Sequence, residues 1–313
     1  MKKNINISLT FAALILSAAM VVSAAEPAAK DASLTIEAAY PGLASGALTF
    51  ATLGELPDGV LLKAGEIEIS SKDLEDAMAQ SPEAAREQLK KNGFFLLEQI
   101  ATEKLLLLDI EAENPQTKID INGKVDSKII QDHLSKVASE AKVTDEEITD
   151  FYNNNKDMCG DAALDKIKDS ISGYLINEKK QESVRTYIKT LAQKIPTVVL
   201  STWTQEQAVL AKDNPVDKAR ASGTPSLIDF GASGCRPCDM MAPILDDLKK
   251  KYEGKANVLF VHVNKEQILA ARYGIEVIPV QVFFDKSGKE VLRHTGFFSQ
   301  GEIEKKLVEI GVK

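Results

Sequence analysis

The pattern of hydrophobic and polar positions changes in kind about two-thirds of the way along this chain. Before Pro196, apolar residues recur at spacings of three and four, which is the period of amphipathic helices. After Pro196, short β-branched and aromatic runs alternate with amphipathic stretches, which is typical of an α/β domain. We therefore predict two domains, an all-α helical domain over residues 56–195 and an α/β domain with a central mixed sheet flanked by helices over residues 196–313.

Several long helical patterns fill the first domain. The stretch FFLLEQIATEKLLLLDIEAE carries apolar residues at helical spacing over residues 95–110, which predicts a long buried helix. In VTDEEITDFYNNN, Glu147 follows Thr144 by three residues, the spacing of a capping box at a helix start. The stretch VDSKIIQDHLSKVASEA predicts a further helix, and the last pattern covers about residues 162–194.

The residues that precede these helices have a weaker pattern. Residues 26–55 are rich in Ala, Gly, Ser and Pro, and we expect a mostly irregular lead-in with room for one strand. In LLKAGEIEIS, residues 61–70, the second half alternates apolar and polar residues, which predicts a short strand. Ser71 is the expected cap of the helix that follows.

The first 25 residues have the features of a cleavable secretion signal. Two lysines are followed by a short apolar run and then by small residues, so we expect cleavage near residue 24 or 25. A retained membrane anchor is the alternative, but the apolar run is short for a span of about 20 residues. No other stretch is apolar enough for a span, so the sequence predicts a periplasmic or otherwise exported protein without a stable membrane span.

Charge narrows the classes of partner. The net charge is -8, and lysines and arginines form no extended cluster along the chain. Nucleic-acid binding needs a basic face that attracts phosphates, so nucleic acid is not an expected partner.

The most informative motif lies in DFGASGCRPCDMMAP, where Cys235 and Cys238 are one helical turn apart. A strand pattern ends just before Cys235 and a helix pattern begins with it, so its sulfur faces unpaired N–H groups and the positive end of the helix dipole. Arg236 adds a nearby cation and is also a candidate substrate-binding residue. Cys235 is therefore the candidate nucleophile, and Cys238, one turn further into the helix, is the candidate resolving thiol.

Two other interpretations of the cysteine pair compete with redox exchange. A structural metal site needs about four ligands, and the remaining candidates, which have no second pairing spacing, are Cys159, His133, His262 and His294. An inert disulfide between residues so close in sequence would give little entropic stabilisation, and short C-x-x-C disulfides are usually exchangeable. We therefore expect no metal and no organic cofactor, only a redox-active Cys235–Cys238 pair.

The segment from about residue 196 to the end resembles the thioredoxin family. Asp229 stands where thioredoxins bury a carboxylate beneath the dithiol, and Pro243 stands where they kink the active-site helix. The alternative for Asp229 is a side chain that points to solvent at a strand end. This alternative is disfavoured because the strand is otherwise apolar, and burying a charged group is costly unless it has a role or a partner.

YGIEVIPVQVFF, residues 273–284, is similar to the family's entry to a strand through a cis-proline. The resemblance implies that the bond before Pro279 is cis, and that the Ile278 backbone lies beside the dithiol, where an extended substrate can pair with it. Gly296, in RHTGFF, matches the small residue of the family's binding surface. An ordinary edge-strand proline is the alternative for Pro279.

The sequence also departs from the family pattern. Gly231 and Gly234 stand where typical members have tryptophans, so we expect a less aromatic substrate face. Phe260 stands where many members have a buried lysine near the aspartate, which puts the usual proton-handling pair in doubt. Arg236 and Pro237 separate the cysteines and Asp239 follows them, so the redox potential is open.

The segment over about residues 56–194 resembles the helical N-terminal module of SurA-type periplasmic chaperones. The resemblance rests on VTDEEITDFYNNNK followed by the helix YLINEKKQE. In such chaperones the module clasps unfolded chains in an apolar cradle, which implies a client-binding role for the apolar positions over residues 95–110. A helical spacer or a dimerisation arm is the alternative.

Together these features predict an exported thiol-disulfide oxidoreductase of the reductase type with a chaperone-like helical module. Cys235 attacks a substrate disulfide, Cys238 resolves the mixed disulfide, and Asp229 assists proton removal from Cys238. The expected partners are proteins with cysteines or disulfides and an upstream redox protein. A disulfide oxidase or isomerase and a non-enzymatic holdase remain the alternatives.

Overall fold

A computed structural model describes residues 34–116, 119, 121, 127–159 and 162–313 of the chain. The predicted secretion signal lies outside the described residues. Residues 33–313 form one compact unit. None of the described helices is long and apolar enough to cross a membrane.

Helices make up most of the described part of the chain. They are α1 (Ile36–Ala39), α2 (Ser71–Gln80), α3 (Glu83–Lys90), α4 (Gly93–Glu113), α5 (Ser127–Ala138), α6 (Asp145–Asn154), α7 (Lys156–Cys159), α8 (Leu164–Lys194), α9 (Ser201–Ala211), α10 (Pro215–Arg220), α11 (Arg236–Lys251), α12 (Gln267–Arg272) and α13 (Gln300–Glu309).

The described strands form two four-stranded sheets. They are β1 (Thr52–Gly54), β2 (Val60–Ala64), β3 (Ile67–Ser70), β4 (Thr197–Leu200), β5 (Ser226–Gly231), β6 (Asn257–His262), β7 (Val280–Phe284) and β8 (Glu290–Thr295). The first sheet has the order β1-β4-β2-β3 and the second has the order β6-β5-β7-β8.

The first sheet corrects the expectation of an all-α N-terminal domain. The stretch LLKAGEIEIS forms the hairpin of β2 and β3 rather than one strand, and β1 comes from the lead-in. The strand at Thr197, which we expected in the C-terminal sheet, pairs parallel with β1 and antiparallel with β2. It joins this sheet because β2 presents a free edge that β4 pairs, and the Thr52 hydroxyl also donates to the Thr197 carbonyl.

Two helices in the N-terminal part begin with a capping box. Each capping box contributes about 1 kcal/mol to the free energy of unfolding. At α6 the pair is Thr144 and Glu147, which confirms the prediction. At α2 the cap is Ser70 with Asp73 three residues later, one position before the expected Ser71. The hydroxyl of Ser70 accepts the N–H of Asp73, because Ser70 has the extended backbone that a cap requires.

Helix α4 is the centre of the first core, as its pattern predicts. Its apolar side chains pack against the first sheet, the lead-in and the helices α8 and α9. Residues of this stripe, among them Phe95, Leu97, Leu105 and Ile110, are less than a tenth exposed. Most apolar positions over residues 95–110 are therefore core, while Leu96, Ile100 and Leu108 are only partly buried against it. The client-binding role that the resemblance implied stays a prediction.

The second sheet confirms the predicted mixed sheet flanked by helices. Strands β5 and β6 are parallel, whereas β7 and β8 run antiparallel to their neighbours. Successive side chains of a strand point to opposite faces, so Leu227 packs with α11 and α13 while Ile228 packs with α10 and α12. The same alternation puts Asp229 and Gly231 on the face that α11 covers.

A buried arginine joins the N-terminal part of the molecule, which is built around the first sheet, to the part built around the second sheet. Arg272 of α12 donates to the side chain of Asn92 at 3.2 Å and to the carbonyl of Ala211 at 3.1 Å, and it forms an ion pair with Asp217 at 3.2 Å. Since Arg272 and Asp217 are both buried, their charges are compensated within the protein.

The N-terminal part also contacts both flanks of the end of the second sheet where β5 leads into α11. Gln88 of α3 accepts the N–H of Ile268 at 3.0 Å and donates to the carbonyl of Lys265 at 2.9 Å, just after β6. The hydroxyl of Tyr174 in α8 lies 3.2 Å from the carbonyl oxygen of Thr295, at the end of β8, and 2.9 Å from Glu178 Oε1 of its own helix, so its one proton is shared between these two acceptors.

Candidate dithiol active site

The two cysteines lie at the start of α11 and form a disulfide. Cys235 is the N-cap of the helix, and its Sγ accepts the N–H of Cys238 at 3.4 Å. Cys238 is 4 % exposed, whereas Cys235 is partly exposed. A substrate can therefore reach the Cys235 sulfur and not the Cys238 sulfur, and the helix N-terminus favours the thiolate of Cys235 on reduction.

The loop before β7 lies against the Cys235 sulfur. The Ile278–Pro279 peptide bond is cis, as the resemblance implied, and the Ile278 carbonyl oxygen is 4.0 Å from the Cys235 Sγ. The N–H of Gly296 donates to the Pro279 carbonyl at 2.8 Å, and Gly296 has a φ of +95°, which favours glycine. The structure thus brings Ile278, Pro279 and Gly296 together beside the dithiol, and their role in substrate binding remains a prediction.

Asp229 is fully buried on the face of the sheet that α11 covers. A Cβ placed on Gly231, two residues further along the same face of β5, would lie 3.4 Å from the Cys238 Sγ. The Asp229 carboxyl therefore lies between the sheet and the helix, below the resolving cysteine. Burial raises its pKa to about 6, against a hydrogen bond from Gln281 that favours the ionised form.

Gln281 is a neighbour of Asp229 that sequence reasoning missed. It is opposite Asp229 on β7, is fully buried, and donates its side-chain N–H to Asp229 Oδ1 at 2.7 Å. A polar residue within the apolar run PVQVFF was the available signal. Its partner could be found only from the pairing of β5 with β7.

Phe260 supplies an aromatic surface that the sequence did not lead us to expect. It is opposite Asp229 on β6 and is 50 % exposed. Its Cε2 lies 2.9 Å from the position of a Cβ on Gly231, so the ring occupies the space that a side chain at Gly231 would need. The expected loss of aromatic character at Gly231 is therefore offset by a ring from the neighbouring strand.

Other predicted residues lie near the dithiol without a described contact to it. Arg236 and Asp239 are exposed in the first turn of α11, and Pro243 lies within the same helix. Cys159, the third cysteine of the chain, is free and partly exposed, and it lies at the end of the short helix α7 in the N-terminal part. Burial raises the pKa of the Cys159 thiol, which disfavours reactivity.

One group among the described residues has ligand atoms close enough to hold a metal ion, namely Asp109, Glu113 and His133. Lys194 Nζ is 2.9 Å from Asp109 Oδ2, and the Tyr187 hydroxyl donates to the same oxygen and lies 2.6 Å from His133 Nε2. The lysine ammonium already compensates the buried carboxylate, so this is a satisfied side-chain network.

The fold and the site together define a class of protein. A mixed sheet, a dithiol at the start of the following helix, a buried carboxylate below it and a cis-proline beside it characterise proteins that exchange thiols and disulfides.

Comparison with known proteins identifies the family. The thioredoxin family profile matches residues 206–309. Thioredoxins from the Staphylococcus aureus strains Mu50 and MW2 are 39% identical over 89 residues, which are 28% of this chain and 84% of each relative. The chain belongs to the thioredoxin family, and at that level it is a thiol-disulfide oxidoreductase.

Part of the chain is also similar to solved structures. A chloroplastic thioredoxin z is 28% identical, with 31% of this chain and 88% of that chain covered and a TM-score of 0.29. Thioredoxin NaTrxh from Nicotiana alata is 26% identical, with 30% and 79% covered and a TM-score of 0.28.

Proposed function

We propose that the chain is an exported protein-disulfide reductase that acts through Cys235 and Cys238. The observation that carries the proposal is the contrast between the two sulfurs, since Cys235 is accessible beside the Ile278 carbonyl and Cys238 is buried behind it. Export is proposed from the N-terminal sequence, and the reaction needs no metal or organic cofactor.

The proposed reaction has two steps. The Cys235 thiolate attacks one sulfur of a substrate disulfide, a mixed disulfide forms, and the other substrate sulfur leaves as a thiolate that takes a proton from solvent. Cys238 then loses its proton to Asp229 and attacks Cys235, which releases the second substrate thiolate. Two electrons pass from the dithiol to the substrate, and the product is the Cys235–Cys238 disulfide.

Single cysteine substitutions test this assignment. We expect Cys235→Ser to abolish reduction of protein disulfides, because the accessible sulfur is lost. We expect Cys238→Ser to accumulate mixed disulfides with substrates, visible as a mass increase that dithiothreitol reverses. Cys159→Ser is the matched control and should keep full activity. Activity in Cys235→Ser would overturn the assignment of roles.

The direction of electron flow is part of the proposal. A reductase needs an upstream redox protein that reduces the Cys235–Cys238 disulfide after each turnover, whereas an oxidase or isomerase needs a more oxidising pair. We expect the reduction potential of the Cys235–Cys238 pair to be close to that of thioredoxins, about −270 mV, rather than to that of strong oxidases, about −120 mV. Equilibration with glutathione buffers measures it, and a value at the oxidising end would favour the oxidase alternative.

We also propose that the N-terminal part helps to hold protein substrates, as its similarity to SurA-type chaperone modules implies. The support is positional, because Gln88 and Tyr174 attach this part to both flanks of the end of the sheet that carries the dithiol. The surface for clients is then formed by the elements that carry Gln88 and Tyr174, namely α3 and α8, rather than by the buried stripe of α4. A non-enzymatic holdase would keep client binding in Cys235→Ser and show no reductase activity in the wild type.

A further inference from the structure

The carboxylate below the dithiol is held by an amide. Gln281 donates to Asp229 Oδ1 at 2.7 Å, and both side chains are fully buried. Asp229 Oδ2 and Gln281 Oε1 have no hydrogen-bond partner among the described residues. The carboxylate therefore has one oxygen fixed from β7 and one oxygen free, in a site where buried polar atoms are normally paired.

The surroundings leave Gln281 as the one polar side chain with a described contact to Asp229. Opposite it on β6 is Phe260, and the ionisable groups on the same face are His262 on β6, His294 opposite Gln281 on β8, and Cys238 on α11. His262 Nε2 faces the Ser233 hydroxyl at 3.3 Å while its buried Nδ1 has no partner among the described residues, and His294 Nε2 faces the Phe297 carbonyl at 3.1 Å. Neither ring has a described contact with Asp229. The exposed Arg236 and Asp239 stand in the first turn of α11.

We propose that Gln281 is a positioning residue for the dithiol reaction, because its amide fixes one oxygen of Asp229 and leaves the other to accept the proton of Cys238. The inference rests on the proposed function, in which Asp229 takes that proton during the second step. The side chain acts through the carboxylate and does not contact the substrate. A neutral amide thus holds the carboxylate at a site whose β6 neighbour is the uncharged Phe260.

The role has a definite sign. Desolvation raises the pKa of Asp229 and the Gln281 hydrogen bond lowers it. Removal of the amide therefore raises the pKa further, by about one pH unit for one hydrogen bond to a charged group. The base form of Asp229 then becomes scarce at low pH, and the second step should slow there and recover as the pH rises.

The first measurement does not depend on activity. In the full-length oxidised protein with ¹³C-labelled aspartate, the carboxyl of Asp229 is titrated by NMR, with Asp229→Asn to assign the signal. In Gln281→Leu, which keeps a similar volume, we expect the midpoint to move upward by about one pH unit. In Gln281→Lys, an ammonium beside the carboxylate should move the midpoint downward. A midpoint that stays in place in both variants would overturn the proposal.

The second measurement follows the reaction. With a chromogenic aryl disulfide in single turnover, release of the second thiol should slow about five-fold near pH 6 in Gln281→Leu and change less than about two-fold near pH 8. In an Asp229→Asn background the same substitution should have no further effect, because it acts through Asp229. An equal effect in both backgrounds, or a slowing that does not depend on pH, would indicate a merely structural role and reject the inference.

A control separates this inference from the proposed function. Gln207 in α9 also has a buried, unpartnered Oε1, so Gln207→Leu removes a comparable amide away from the dithiol and should leave the pH profile unchanged. If the wild type releases no thiol at all, the proposed function fails. If the wild type is active and Gln281→Leu has the wild-type profile, only the role of Gln281 fails.

Discussion

Phe260 has a role in the structure that the sequence did not predict. Its half-exposed ring lies over Gly231, next to Cys238. Met240 and Val277, which are 40% and 38% exposed, lie within two residues of the site in sequence. Exposed apolar side chains of this kind often mark sites that bind proteins, and Phe260 is the one of the three whose position beside Cys238 is described.

At the residue scale we expect Phe260→Ala to weaken the recognition of protein substrates. Loss of about 1 kcal/mol of apolar contact should raise KM about five-fold for a protein disulfide and leave the rate with a small aryl disulfide within about two-fold. Steady-state kinetics on both substrates measure the effect. Val291→Ala is the control, because it shortens an exposed side chain at the end of β8 that lies away from the dithiol. An unchanged KM for the protein substrate would contradict this role for the ring.

The residues whose chemistry is local could be predicted from the sequence. Cys235 and Cys238 are identified by their spacing and by the helix start, and Pro279 by the strand that follows it. Phe260 and Gln281 could not be given a role, because their relation to Asp229 depends on how β6 and β7 pair with β5. Strand register is a long-range property that no short pattern contains.

Glu98 is the point at which one element fixes another in the first core. It is almost fully buried on α4, and its carboxylate accepts the N–H groups of Ser45, Gly46 and Leu48 at 2.9–3.0 Å. Burial raises the pKa of Glu98, although these three donors favour the ionised form. The irregular lead-in is thus held in place by a helix that begins more than forty residues later.

At the element scale we expect Glu98→Gln to lower the free energy of unfolding by about 1–3 kcal/mol, because the new amide group faces donors that then lack an acceptor. Urea denaturation followed by far-UV circular dichroism measures the change. Glu103→Gln, an exposed position on the same helix, should change stability by less than about 0.5 kcal/mol. Equal stability of both variants would show that the lead-in is held by other contacts.

Helix existence was the most predictable property of the elements, and strand partnership the least. The periods of α4, α6 and α8 predict these helices because an amphipathic stripe is a local feature. The pattern of β4 correctly predicts a strand, but it cannot say which sheet the strand joins. Its partners β1 and β2 precede it by well over a hundred residues.

At the scale of the whole molecule, the N-terminal part and the thioredoxin fold meet at the dithiol end through Tyr174. If this part holds clients there, Tyr174→Phe should raise KM for a large unfolded substrate about two- to five-fold, since a hydrogen bond contributes about 0.5–1.5 kcal/mol. Reduction of a small aryl disulfide should not change. Tyr152→Phe is the control, because its hydroxyl donates to the Ala162 carbonyl within the N-terminal part. Equal losses on both substrates would instead indicate damage to the dithiol site.

The combination of two parts could be predicted from the change of pattern at Pro196, but their attachment could not. Arg272 gives no sign in the sequence of its contacts with Asn92, Ala211 and Asp217, which come from three different elements. Only the folded arrangement shows that the first sheet takes its fourth strand from residues just after the predicted boundary.

The position of Trp203 has a spectroscopic consequence. It is the single tryptophan of the chain, and it stacks on Phe94 in the first core at a centroid distance of 6.2 Å. Its emission therefore reports the folding of the N-terminal part, and reduction of the disulfide at the start of α11 should leave that emission nearly constant. Phe260→Trp would place a second indole beside the disulfide and give the protein an optical signal of its own redox state.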